Sequence, residues 1–168
     1  LENKVGSNTK LLYAQGCDIE DTSRAGFAEA IAVAQQADVV IMSVGERRDM
    51  SGEAKSRSNI HLPGMQEELV KAIQATGKPV VVMINAGRPL IFNWTADHVP
   101  AILYTWWLGT EAGYAIADVL FGDYNPGGKL PISVPRSAGH LPVFYNYKPS
   151  ARRGFLFDDV SPLYAFGF

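Results

Sequence analysis

A single cysteine, Cys17, is all that 168 residues contain. An intrachain disulfide framework is therefore excluded, and so is a zinc site built on cysteine thiolates. Charge of one sign is also lacking: Lys and Arg total 15 against 17 Asp and Glu, a formal net charge of −2. That balance offers no electrostatic footprint for nucleic acid or for an anionic membrane surface. No apolar run approaches the roughly 20 residues that cross a bilayer as a helix. Nucleotide fingerprints are missing too. No Gly-x-Gly-x-x-Gly follows a strand, and Gly77-Lys78 lacks both the upstream glycine and the following hydroxyl residue of a phosphate loop. Without a Gly-x-Ser-x-Gly elbow there is no nucleophile turn for a hydrolase of the Ser-His-Asp kind. The three histidines, His61, His98 and His140, are scattered without metal-ligand spacing and are expected to be structural.

The composition is that of a globular chain, with 47% hydrophobic and 19% charged residues. Four segments, 11–14, 39–44, 80–84 and 101–106, are nearly continuous apolar runs, the pattern of strands covered on both faces in a parallel sheet. A fifth, 129–134, alternates instead. Its Pro131 has no N–H for a ladder, which predicts an edge strand near 129–134. Helical stripes lie between them: Phe27, Ile31 and Ala34; then Met65, Leu69, Ala72 and Ile73, ending at a left-handed cap on Gly77; then Ala112, Ile116, Val119 and Leu120, stopped by Gly122. Alternating strands and helices predict a three-layer α/β/α sandwich with a mostly parallel sheet. No internal repeat or linker divides the chain, so residues 1–168 are expected to form one domain. Its first residue is not Met, and it closes on the apolar run Tyr164-Ala165-Phe166-Gly167-Phe168. Domains normally end in solvated segments, so a piece of a longer protein is expected.

The longest interruption of this pattern runs from Gly45 to Pro63. Connections in α/β units usually take about 2–6 residues, and much longer ones are mostly functional. This one leaves the carboxyl end of a central strand, the edge at which open α/β sheets hold ligands. It carries Glu46, Asp49 and Glu53 together with Arg47, Arg48, Lys55 and Arg57. Carboxylates are the chemistry left after the exclusions above. Cleavage of a glycosidic bond needs a pair of them, one donating a proton to the leaving oxygen and one attacking the anomeric carbon. From the pattern alone Glu46, Asp49 and Glu53 are equal candidates. Cys17 reads as a small buried hydrophobe, Asn93-Trp94-Thr95 as a chance match to a glycosylation sequon, and the strand-end pair Trp106-Trp107 as core.

Several segments taken together resemble the second domain of the glycoside hydrolase family 3 β-glucosidases. They are the loop Gly45-Glu46-Arg47-Arg48-Asp49-Met50-Ser51-Gly52-Glu53-Ala54-Lys55-Ser56-Arg57, Gly87-Arg88-Pro89-Leu90, Trp107-Leu108-Gly109-Thr110-Glu111-Ala112-Gly113, and the run from Ala117 through Phe121-Gly122-Asp123-Tyr124-Asn125-Pro126-Gly127-Gly128 to Pro131. The resemblance implies an active site shared by two domains of a retaining exo-β-glycosidase. An aspartate nucleophile sits on a (β/α)8 barrel absent from these 168 residues, and the acid/base falls on Glu53. With that site, Glu46 and Arg57 are expected to support the loop, Met50 and Arg48 by their position in it to line the mouth beyond the cleaved sugar, and no cofactor is needed. Implied partners are a β-linked oligosaccharide or glucoside and the missing barrel, with self-association through the exposed barrel-facing surface. By itself the chain is then expected to be inactive. A periplasmic or extracellular parent protein follows from the same resemblance. β-Xylosidase activity is the near alternative, and a non-catalytic flavodoxin-like binding or scaffold module the distant one.

Overall fold

In the computed structural model, residues 1–148 and 159–168 are described. Three strands form a parallel sheet in the order β1-β2-β3: β1 (Val40–Gly45), β2 (Val80–Asn85) and β3 (Ala101–Tyr104). The register pairs Val40 with Val80 and Gly45 with Asn85, then Val81 with Ala101 and Ile84 with Tyr104. Among the described residues four α-helices accompany it: α1 (Phe27–Gln36) before β1, α2 (Gln66–Gln74) between β1 and β2, α3 (Asn93–His98) between β2 and β3, and α4 (Ala112–Leu120) after β3. The chain is thus an α/β domain on a parallel sheet, as the alternation of strand and helix patterns predicts.

Helices α1, α2 and α3 lie side by side. Their buried side chains, Ala30 and Ala34 from α1 and Leu69, Val70 and Ile73 from α2, form one core with Met42, Val44, Val80, Val82 and Ile84 of the sheet. Alternation along β2 is strict: Val80, Val82 and Ile84 are buried, while Val81 and Met83 on the opposite face are only half-buried. The second face of the sheet is therefore less covered than continuous apolar runs lead one to expect. Helix α2 stops where its apolar stripe does, and Gly77 takes the predicted left-handed conformation at φ +74°.

Two expected strands behave differently. Residues 11–14 form no strand and join no ladder among the described residues. Residues 130–134 pair antiparallel with the chain's last segment rather than with the sheet. Leu130 N–H donates to Phe168 O (3.0 Å), Gly167 N–H to Leu130 O (2.8 Å), Val134 N–H to Tyr164 O (2.8 Å) and Leu163 N–H to Val134 O (2.8 Å). Pro131 lies between the bonded positions, where its missing donor costs nothing. The pair seats Val134 and Tyr164 against Phe92, whose ring centroid lies 6.0 Å from that of Tyr164. Helix α3 has no apolar stripe long enough to announce itself in the sequence. Its Asn93 gives its amide N–H to Arg136 O (2.8 Å) and its Thr95 is buried, so the sequon-like triplet is a packed helix start.

Candidate active site

β1 ends at Gly45, and the backbone there lies so close to β2 that a Cβ would fall 2.0 Å from Asn85 O, at a φ of +133° that side chains rarely adopt. Only glycine permits this approach, and it turns the chain out of the sheet into the long loop. Gln66, at the first turn of α2, closes the loop's base. Gly45 N–H donates to its Oε1 (2.7 Å), while its Nε2 donates to Gly45 O (2.8 Å), Pro63 O (3.1 Å) and Ile19 O (3.1 Å). A buried amide satisfied so fully fixes the two ends of the long excursion at one point.

Glu46 follows, 4% exposed, with its carboxylate wholly buried. Arg57 Nη1 lies 2.5 Å and Arg88 Nε 3.0 Å from its Oε1, and Ser51 Oγ donates to Oε2 at 2.8 Å. Two guanidinium groups and a hydroxyl thus compensate a charge that could not be buried alone. Arg88 reaches further: its Nη2 donates to Met50 O (2.5 Å) and Lys55 O (2.8 Å). The Arg88 backbone is held in turn by Tyr104 of β3, whose hydroxyl donates to Arg88 O (2.5 Å) and accepts from Leu90 N–H (3.1 Å). Burial pushes the Tyr104 phenol well above its ordinary value, with the Leu90 N–H bond working in the opposite direction.

From this base the loop makes a 3-10 turn at Arg48–Met50, then swings through Gly52 and Ala54. Lys55 N–H donates to Gly52 O (3.2 Å), and Ala54 stands at φ +56°. Asp49 is tied on the outer surface by Arg47 (Nε to Oδ1 3.0 Å), which holds its carboxyl below the usual range. Glu20 also faces Arg47, at 2.6 Å. Glu53 is exposed and has neither hydrogen bond nor ion pair among the described residues. The three loop carboxylates, indistinguishable by pattern, are thereby separated: Glu46 is neutralised inside, Asp49 is paired outside, and Glu53 is free.

An open cleft of about 800 Å³ lies beside the turn, at the carboxyl ends of β2 and β3. Arg48, Ser51, Gly52, Asn85, Gly87, Thr105, Trp106 and Trp107 line it, with Ala112 and Ile116 of α4. Its floor is ordered by Thr105, whose hydroxyl donates to Asn85 Oδ1 (2.6 Å). Trp106 takes φ +53°, rare for a bulky residue, and its ring packs 4.5 Å from that of Tyr104. Expected in the core, the tryptophan pair is instead found at this cleft, and Trp107 is 45% exposed. Met50 is buried within its turn, its sulfur accepting the Arg47 N–H at 3.3 Å, whereas Arg48 reaches the cleft wall. Sequence reasoning names Glu46, Arg57 and Glu53 but misses Gln66, Ser51 and Tyr104, and assigns Arg88 no role. Only the Gly87-Arg88-Pro89-Leu90 segment, at the end of a strand, hinted at the last.

His61 sits near the end of the loop, bridged through its backbone to Ile91, while His98 and His140 stand apart from this site. His98 stacks on Trp94 (4.2 Å) with Nδ1 2.8 Å from Trp94 O, and His140 Nε2 lies 3.0 Å from Val160 O. No group of three or more metal-ligating side chains occurs among the described residues. Cys17 is half-buried against the core, its thiol pushed up by burial and by Asp18.

A parallel α/β sheet whose longest loop and open cleft share its carboxyl edge defines the class: an α/β domain that presents its site at the ends of its strands. The family follows from comparison with known proteins. Residues 2–168 match the model of the glycosyl hydrolase family 3 C-terminal domain, and the chain belongs to that family. It is 47% identical to a β-xylosidase of Formosa agariphila and 43% identical to a periplasmic β-glucosidase of Salmonella typhimurium, each similarity covering 100% of the chain. Among solved structures it is similar to a β-glucosidase from Listeria innocua in complex with gluconolactone, with TM-score 0.82 and 36% identity over 90% of the chain. The chain spans only 24%, 26% and 23% of these three proteins.

Proposed function

We propose that residues 1–168 are one α/β domain of a retaining exo-β-glycosidase, a β-glucosidase removing terminal non-reducing β-D-glucosyl residues, and that Glu53 is its acid/base. The nucleophile is an aspartate on a (β/α)8 barrel that these 168 residues do not include. The observation that carries this reading is the contrast within the loop: Glu46 is spent on Arg57 and Arg88, while the Glu53 carboxylate is exposed and, among the described residues, unpartnered at a turn bordering the cleft. Had Glu53 been folded into the salt-bridge network, a scaffold module would be the better reading.

The chemistry then divides into two steps. In the first, the barrel aspartate attacks the anomeric carbon while the bond to the leaving oxygen breaks, and the Glu53 proton passes to that oxygen. In the second, the Glu53 carboxylate takes a proton from water as the water oxygen bonds to the anomeric carbon and frees the aspartate. Two carboxylates suffice, without metal or cofactor. Arg48, on the cleft wall, would meet the part of the substrate beyond the cleaved sugar, with Met50 supporting it from beneath. Glu46 and Arg57 hold the loop. The exposed apolar side chains around α4, among them Trp107, Leu108, Tyr114 and Phe121, leave a surface for the barrel, or for a second copy when the domain is alone. The relative named as a periplasmic enzyme supports a periplasmic or extracellular setting for the parent protein.

One specific observation favours a second substrate: the relative at 47% identity is a β-xylosidase. Glu53 would do the same work on a xyloside. The test is Glu53→Ala in the full-length enzyme with aryl β-glucosides and β-xylosides, with and without azide. Release of the sugar from the enzyme should slow, and azide should restore turnover while forming a glycosyl azide. A normal rate without azide would remove Glu53 from the mechanism.

A further inference from the structure

Among the described residues Glu53 has no side-chain partner, so the backbone of its turn sets where its carboxyl stands. That turn is a short excursion from Met50 to Lys55, and it makes one bond within itself, Lys55 N–H to Gly52 O at 3.2 Å. Ala54, at φ +56°, is in a conformation that a non-glycine residue holds only when its surroundings impose it. Arg88 ties both ends of this turn, which Ser51 also anchors through its hydroxyl on Glu46 Oε2 at 2.8 Å. A single nitrogen, Nη2, donates to the carbonyls at both feet of the excursion, Met50 O at 2.5 Å and Lys55 O at 2.8 Å. The Nε of the same guanidinium is set against the buried Glu46 carboxylate at 3.0 Å. Planarity and a fixed fork of donors let one arginine do both, which an ammonium could not. Behind it, the Tyr104 hydroxyl holds Arg88 O at 2.5 Å and Leu90 N at 3.1 Å, so the clamp is referenced to β3 of the sheet.

We propose that Arg88, clamping Met50 O and Lys55 O from its seat on Glu46 and Tyr104, is the positioning residue that holds Glu53 at the height needed to protonate the leaving oxygen. This rests on the reading of Glu53 as acid/base. Arg88 touches no reacting atom; it acts through the turn. Removing it shortens no side chain at the cleft mouth but takes away the clamp on Met50 O and Lys55 O, leaving the turn held at its Met50–Ser51 end alone.

The consequence is selective. Protonation matters for a leaving group that departs as a strong base and hardly at all for one that departs as a stable anion. The full-length enzyme should therefore be assayed for kcat/KM, which reports the first chemical step, on methyl β-glucoside and on 2,4-dinitrophenyl β-glucoside. Arg88→Ala is expected to lose about 10- to 100-fold on the methyl glycoside, the scale of a misplaced acid. On the dinitrophenyl glycoside the loss should be about threefold or less, because little proton transfer is needed there. Arg88→Lys, able to serve one carbonyl at a time, should recover part of the difference. Tyr104→Phe leaves the guanidinium in place but frees its backbone, and should show the same selectivity in weaker form; it replaces Arg88→Ala if that variant does not fold. Glu53→Ala is the reference. If Glu53→Ala is selective and the Arg88 and Tyr104 variants lose activity equally on both substrates, or lose none, Arg88 is not the positioning residue. If Glu53→Ala itself shows no selectivity, the acid/base assignment falls first and the inference with it.

Discussion

Replacing Glu46 by Gln tests the energetic centre of the loop. The substitution keeps the shape but removes the charge, and it puts an amide N–H₂ where one oxygen accepts from Arg57, Arg88 or Ser51. Breaking a buried pair by neutralising one member typically costs about 3–5 kcal/mol, because the remaining charges lose their compensation. Here the stranded groups are not fully enclosed, since the Arg57 and Arg88 side chains are 20% and 19% exposed and can recruit some water. The lower end, about 3 kcal/mol, is therefore expected. For a domain with about 5–15 kcal/mol of total stability this is a large fraction. At about 2–4 °C per kcal/mol for a chain of this size, Tm should fall by about 6–12 °C. Urea unfolding followed by the fluorescence of Trp94, Trp106 and Trp107 gives the free energy directly. A double-mutant cycle with Arg57→Met isolates the pair and should return a coupling of at least about 1 kcal/mol. The same cycle on the surface pair Arg47–Asp49 should return much less, because solvent screens it. A Glu46→Gln variant as stable as the parent, or a coupling no larger than that of the surface pair, would refute the view that the loop is anchored through Glu46.

Two further outcomes follow from the same geometry. Gly45→Ala would set a Cβ 2.0 Å from Asn85 O at φ +133°, so a loss of about 3 kcal/mol or more is expected, read as loss of soluble folded protein or a much lower urea midpoint; a Gly45→Ala variant of unchanged stability would contradict the described strand end. Asp49, hydrogen-bonded by Arg47, should titrate below its ordinary 3.8. Because the folded value is the depressed one, its contribution to stability is present above 3.8 and is lost as pH falls through the folded value. Carboxyl NMR should show this titration, and Arg47→Gln should move it back upward.

Much of the fold is legible because burial imposes periodicity. The runs at 39–44, 80–84 and 101–106 became β1, β2 and β3, and three apolar stripes became α1, α2 and α4. The run at 11–14 is as apolar as a strand but joins no ladder among the described residues, since composition cannot supply a partner edge. Helix α3 escaped notice because six residues carry less than two helical turns of pattern. Pro131 pointed to an edge strand near 129–134, and the segment pairs instead with the chain's last residues. That its partner would be residues 163–168 depends on a contact spanning about thirty residues, which no local pattern encodes.

The site divides the same way. Local sequence was enough for the domain class, for the position of the long loop at a strand's carboxyl end, and for the short set of carboxylates it carries, because alternation, loop length and residue chemistry are local properties. Which carboxylate is free is a matter of three-dimensional arrangement alone. Glu46, Asp49 and Glu53 lie close together on one loop in near-identical chemical dress. What separates them is where Arg57, Arg88 and Arg47 arrive in space. Arg88 comes from 42 positions beyond Glu46, brought there because β1 and β2 pair in parallel and both end at the same edge. The state of a charge is set by the charges and dipoles a few ångströms away, and those neighbours are assembled by the fold.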